Sequence, residues 1–134
     1  MRYVIGCDVG SQSVKAILLS EEGEIIAEAS SDYPIEYPQP TWAQQEARYW
    51  EKATNEAIAK IVQENGVSKE AILAIGIDAQ VDGFVAVDAA GTPLHPAIIW
   101  MDRRAVAQTE RVRQAFDEKE IFELSGLNLD PYHV

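Results

Sequence analysis

Very little in this chain can be cross-linked or metallated. Of its 134 residues one is cysteine, Cys7, and two are histidine, His95 and His133. An internal disulfide is therefore excluded, and no Cys/His pattern has the spacing of a zinc site. Basic side chains are scarce: 11 Lys and Arg stand against 22 Asp and Glu, a net charge of −11. That field repels phosphate backbones and anionic lipid, which argues against nucleic-acid and membrane-surface partners. Small anions stay within reach, because backbone amides and one local Lys can hold a phosphate against an unfavourable global field. No apolar run approaches the roughly 20 residues of a membrane span. The opening MRYVIGCDVG is interrupted by Gly6 and Asp8 and is too short for a signal-peptide core. Walker loop, catalytic triad, internal repeat and linker are all missing, and a cytoplasmic protein is expected.

What is present is globular. Hydrophobic residues make up 47% and charged residues 25% of the chain, enough for one domain with a core of its own. Residues 3 to 9, 14 to 19 and 25 to 33 read as strands rich in Val, Ile and Leu. Their connections are too short for a parallel crossover, so they must be antiparallel neighbours. A loop with Pro34, Pro38 and Pro40 follows, and from about Glu46 the period becomes helical. Trp50, Ala53, Ala57, Ile58, Ile61 and Val62 share one face, and Asn65-Gly66 supplies the stop. Residues 72 to 79 (ILAIGIDA) form a continuous apolar run of the kind buried at a sheet centre. Residues 84 to 88 and 97 to 101 read as a hairpin. Residues 103 to 116 read as a helix with Val106, Thr109, Val112 and Phe116 on its apolar side, and 118 to 125 as a shorter helix ending at Gly126. The result is an α/β domain: a mixed sheet of three antiparallel strands, then a helix and a parallel strand, flanked by helices. The first strand lies between the second and the one that follows the helix.

Four places could carry chemistry. Asp8-Val9-Gly10-Ser11-Gln12-Ser13, with Lys15 beyond, sets a carboxylate at a strand end before a tight turn bearing hydroxyls. Turn amides and hydroxyls can hold phosphate oxygens and Asp8 can hold Mg²⁺ through its waters, although a plain Asx-type hairpin turn has the same residues. Asp78 to Gly83 (DAQVDG) could line a cleft and orient a hydroxylated ligand, or be an ordinary polar turn. Trp100-Met101-Asp102-Arg103-Arg104 offers an indole as a flat wall and Asp102 as a helix N-cap; alternatively Trp100 is core and the charges are surface pairs. Asp130-Pro131-Tyr132 is a rigid turn presenting a phenol. Cys7, on the strand face opposite Asp8, reads as core and His95 as surface.

Together these segments resemble the N-terminal part of an FGGY-type carbohydrate kinase, the group that contains xylulokinase, ribulokinase and glycerol kinase. The resemblance runs through IGCDVGSQSVKAILL and EEGEII, YPQPTWAQQEARYW, GIDAQVDGFVAVD, PAIIWMDRR and SGLNLDPY, in that order, over essentially the whole chain. It implies an actin-like ATPase (ribonuclease H-like) fold, and transfer of the ATP γ-phosphoryl to a hydroxyl of a ketose or polyol with Mg²⁺. Carried over by position, Asp8 helps place magnesium and Gly10, Ser11, Gln12, Ser13 and Lys15 belong to the phosphate-binding hairpin. Gln80, Val81, Asp82, Trp100, Asp102 and Tyr132 correspond to substrate positions. Ser11 stands where the family usually has Thr. Val81-Asp82 replaces the Met-His of xylulokinases and the Arg-Glu of glycerol kinases, and D-xylulose is the expected substrate.

Family members are several-fold longer. The general base, the second phosphate loop and the adenosine site are expected downstream of Val134, so residues 1 to 134 are expected to be one incomplete N-terminal kinase domain, inert by itself. A non-catalytic sugar-binding fragment, or a subunit for a separate partner chain, is the competing expectation. An actin- or chaperone-like ATPase is another, disfavoured by the VDG, WMDRR and DPY segments. An apolar face left uncovered would also favour self-association, and a homodimer is the expected form.

Overall fold

The structure, a computed structural model, describes residues 1–132; His133 lies outside the described residues. In chain order the elements are β1 (Tyr3–Val9), β2 (Ser13–Ser20), β3 (Ile25–Asp32), β4 (Gln44–Gln45), α1 (Ala47–Glu64), a 3₁₀ turn (Lys69–Ala71), β5 (Ile72–Ala79), β6 (Ala97–Ile98), α2 (Val106–Ala115) and α3 (Glu118–Ser125). Where one domain without a linker was expected, contacts gather into two compact units. The first comprises Met1–Ile35 and Glu46–Gln80, the second Glu36–Gln45 and the chain from Val81 onward.

The first unit is a four-stranded sheet in the order β3-β2-β1-β5. β1 pairs antiparallel with β2 and parallel with β5, so the first strand is central, as its pattern predicts. Strand alternation sends Ile5 and Cys7 of β1 and Val14, Ala16 and Leu18 of β2 to one face, all buried. There they meet Ala53, Ala57 and Ile61 of α1, with Trp50, Ile58 and Val62 packed around them. Alanine at 53 and 57 lets the helix axis approach the sheet closely while Ile61 fills the far end. The helix stops where expected: Asn65 donates to the Ile61 carbonyl at 2.8 Å, and Gly66 has φ 59°. Burial raises the pKa of the Cys7 thiol, which agrees with a core residue rather than a nucleophile.

β5 departs from expectation. Its strand bounds match the apolar run, but its side chains are exposed, with Ile77 at 65% and Leu73 at 55%. The reason is its place at the sheet edge. α1 packs chiefly on β2 and β3, and does not extend over the last strand.

The second unit has little regular strand. β4 pairs antiparallel with β6, Gln44 opposite Ile98 and Gln45 opposite Ala97. The hairpin expected over 84–101 is reduced to isolated bridges, Phe84 to Ile98 and Val87 to Pro93. Pro93 and Pro96 have no amide hydrogen to give a ladder, and they interrupt that arm. α2 begins at Val106 with Ala105 at its N-cap, so Asp102 is not the cap. Of its expected apolar side Thr109 is buried, whereas Val106 and Phe116 are exposed. Asp117 caps α3, accepting from the Lys119 and Glu120 amides, and Gly126 ends it. Among the described residues no helix is long and apolar enough to cross a membrane.

Candidate active-site elements

Each unit carries candidate functional residues of its own. In the first, the chain reverses between β1 and β2 within four residues, and the Gly10 amide donates to the Ser13 carbonyl at 3.0 Å. A Cβ at position 10 would stand 3.2 Å from that same carbonyl oxygen, so any larger residue would crowd the close approach. The tip is tied down from both sides. The Tyr33 hydroxyl donates to the Gly10 carbonyl at 2.5 Å, and the Tyr33 amide to the Gln12 carbonyl at 2.9 Å. From the end of β5 the Gln80 amide donates to the Val9 carbonyl, and its side chain to the Gly10 carbonyl at 3.4 Å. Gln80, expected with the substrate residues, thus lies in the same unit as the Gly10 hairpin.

On the sheet face opposite α1, Asp8 is exposed and shares its register with Lys15 on β2 and Asp78 on β5. One cation and two carboxylates therefore line up across three neighbouring strands. Asp78 accepts from the Ala79 amide at 2.8 Å. The hard oxygens of Asp8 suit a hydrated Mg²⁺, which prefers one or two carboxylates with waters and phosphate. Among the described residues no group of three or more His, Cys, Asp or Glu could hold a metal alone.

Burial, and secondarily the Asp8 charge, push the Tyr33 phenol up to about 12. The protonated form is therefore the one the fold favours. Below the ordinary phenol range, near pH 10, both folded and unfolded chains keep this proton and its stabilisation is complete. Between about pH 10 and 12 only the unfolded chain releases it, and stability falls. The difference in urea midpoint between the wild type and Tyr33→Phe is expected to shrink across that window. A constant difference from pH 8 to 12 would contradict it.

The second unit holds a cavity of about 360 Å³. Asp82, Asp102 and Tyr132 line it, and so do Trp42, Phe84 and Gln108, to which the sequence reading gave no role. A large aromatic such as Trp42, isolated in a proline-rich loop outside any periodic pattern, was the available signal. Asp82 adopts φ 56°, a left-handed conformation, beside Gly83. A Cβ on Gly83 would come within 2.9 Å of the Ile98 carbonyl oxygen, so the DG pair lets this turn press against β6. Val81 is exposed at 73%. Trp100 is half exposed rather than core, and is not among the described residues lining the cavity.

Asp102 is the best-engaged carboxylate of the unit. It is 2% exposed. Its Oδ2 accepts from the Ala43 amide at 2.7 Å and from Arg104 Nε at 2.8 Å, and its Oδ1 accepts from the Arg104 amide at 2.8 Å. The Arg104 guanidinium lies 3.9 Å over the Trp42 ring and donates to Gln44 Oε1 at 3.1 Å. This buried clamp replaces the loose surface pairs of the alternative reading. It stitches residues 42–44 to 102–104.

Similar proteins bear on both parts. The family model described as FGGY family of carbohydrate kinases, N-terminal domain, matches residues 3–134. A glycerol kinase of Thermus brockianus is 37% identical over 139 residues, covering 98% of this chain and 27% of that protein. A xylulose kinase of Bacillus subtilis is 34% identical over 118 residues, covering 88% of this chain and 24% of that protein. Among solved structures, one titled as a xyloylose kinase from Brucella ovis superposes with a TM-score of 0.89 at 26% identity, over 99% of this chain and 27% of its own. The chain spans about a quarter of the length of the curated relatives it matches. The expected actin-like ATPase fold is the fold observed.

Proposed function

Since the chain belongs to the FGGY family of carbohydrate kinases as its N-terminal domain, we propose that the full-length protein transfers the γ-phosphoryl of ATP to a hydroxyl of a neutral ketose or polyol. The observation that carries this reading is the cavity in which Asp82, Asp102 and Tyr132, three substrate positions implied by the family pattern, meet in one place. Its aromatic and aliphatic walls suit the carbon face of a sugar, and Asp82 and Tyr132 suit its hydroxyls. Asp102 serves this site by holding its wall, not by binding sugar.

The hairpin from Gly10 to Ser13 is the phosphate-holding part, with Lys15 as its cation. Mg²⁺, when bound, neutralises charge on the ATP phosphates, and Asp8 is the residue of this chain that would hold its waters. A cytoplasmic setting, where ATP is available, belongs to the same reading.

D-xylulose is the first substrate to test, and the xylulose kinase relative supports it. Glycerol is the second, favoured by the glycerol kinases among the relatives. The experiment is coupled ADP release by the full-length protein with D-xylulose, glycerol and related polyols. Turnover dependent on D-xylulose is the expected result. Turnover with glycerol alone would overturn the substrate and keep the kinase; no sugar-dependent ADP release would overturn the reading.

A further inference from the structure

Tyr132 reaches the cavity from the turn Asp130-Pro131-Tyr132, outside any helix or strand. A phenol on such a turn needs something to fix it, and the proline stiffens one bond only. The fixing group is a side chain that does not itself line the cavity. The Arg103 Nη2 donates to Asp130 Oδ2 at 2.9 Å, and its guanidinium carbon lies 5.1 Å from the centroid of the Tyr132 ring. Asp130 in turn accepts from the Tyr132 amide through Oδ1, at 3.4 Å. One guanidinium thus holds both the ring and the carboxylate at the start of its turn.

Arg103 is well placed for this because its own backbone is fixed. Its amide donates to the Thr41 carbonyl at 2.8 Å, and its neighbours on both sides, Asp102 and Arg104, form the buried clamp. A planar guanidinium stacks flat on a ring while its edge donates to a carboxylate, a geometry that a compact ammonium does not reproduce.

We propose that Arg103 is a positioning residue that sets the Tyr132 phenol for substrate binding. What Tyr132 is positioned for rests on the kinase reading above; that Arg103 positions it does not. The test uses the full-length protein carrying 3-fluorotyrosine, with the Tyr132 ¹⁹F resonance assigned by its loss in Tyr132→Phe. Arg103→Gln is expected to shift that resonance and to raise the KM for sugar about fivefold, the size expected for losing one exposed cation–π contact and its ion pair. The turnover number should change less than KM. Arg103→Lys should recover less than half of the effect. In the Tyr132→Phe background, Arg103→Gln should add little to KM, because both changes act through one group.

An unmoved resonance, or fully additive effects on KM, would overturn the proposal. If Arg103→Gln fails to fold, Asp130→Asn breaks the same ion pair from its other end and is read by the same resonance. A wild type without sugar-dependent turnover would remove the kinase reading, and the resonance would still decide whether Arg103 sets Tyr132.

Discussion

On the proposed kinase reading, Asp8→Asn in the full-length protein is expected to lower kcat by about 100-fold or more, the usual cost of removing a group that stabilises charge in the transition state. The KM for sugar should change by less than about threefold, because that contribution is larger in the transition state than in the bound ground state. Steady-state kinetics at saturating ATP and Mg²⁺ separate the two parameters. The structure makes the substitution informative. Asp8 is exposed on the sheet face opposite α1, while its neighbours Cys7 and Ile5 carry the packing. An exposed carboxylate can be neutralised at a stability cost of about 0.5 kcal/mol or less. A large loss of turnover with an unchanged unfolding midpoint is therefore a loss of chemistry. Equal losses in kcat and sugar affinity would move Asp8 out of the phosphate role.

Asp102→Ala is expected to be the most destabilising single polar substitution in the second unit, at about 3 kcal/mol. It removes the acceptor for the Ala43 amide and for two Arg104 nitrogens in a place where water cannot replace them. Arg104, 21% exposed, would be left with a largely desolvated charge. Asp102→Asn keeps an oxygen for Ala43 but not the charge for Arg104, and about half the loss should remain. Urea unfolding followed by tryptophan fluorescence reads both variants. A cost below about 0.5 kcal/mol for Asp102→Ala would show that the clamp contributes little.

The same residue shows where reading the chain as a string reaches its limit. An Asp just ahead of a helical pattern satisfies the local rule for an N-cap, and local rules see only neighbours. Beside its near neighbour Arg104, Asp102 binds the Ala43 amide, 59 residues away. Distance along the chain hid Trp42 as well, since a loop indole has no periodicity to betray which wall it forms. By contrast β1, β2, β3 and α1 were legible almost to the residue. Their alternation of two and their helical period are local, and the short β1–β2 and β2–β3 connections leave one arrangement. β5 falls between these cases. Ile72 to Ala79 announce a strand, but apolar residues at 73, 75 and 77 do not say whether anything covers them. Of the candidate site, the hairpin around Gly10 was legible because its turn chemistry is local. The cavity beside Asp82 and Tyr132 was one of two open readings of the residues until the family pattern was added, and Trp42, Phe84 and Gln108 in its walls were not legible.

The placing of β1 has a consequence for the growing chain. β1 leaves the ribosome before both strands that flank it, and its β2 side is satisfied once residue 20 has emerged. Its other side waits for Ile72–Ala79, more than fifty residues later. Synthesis at about 5–20 residues per second makes that an interval of seconds. Throughout it, the strand carrying Asp8 is an open edge with unpaired amides and carbonyls. A nascent chain stalled or cleaved before Ile72 would therefore expose the strand that carries Asp8, and β5 is the segment that closes it.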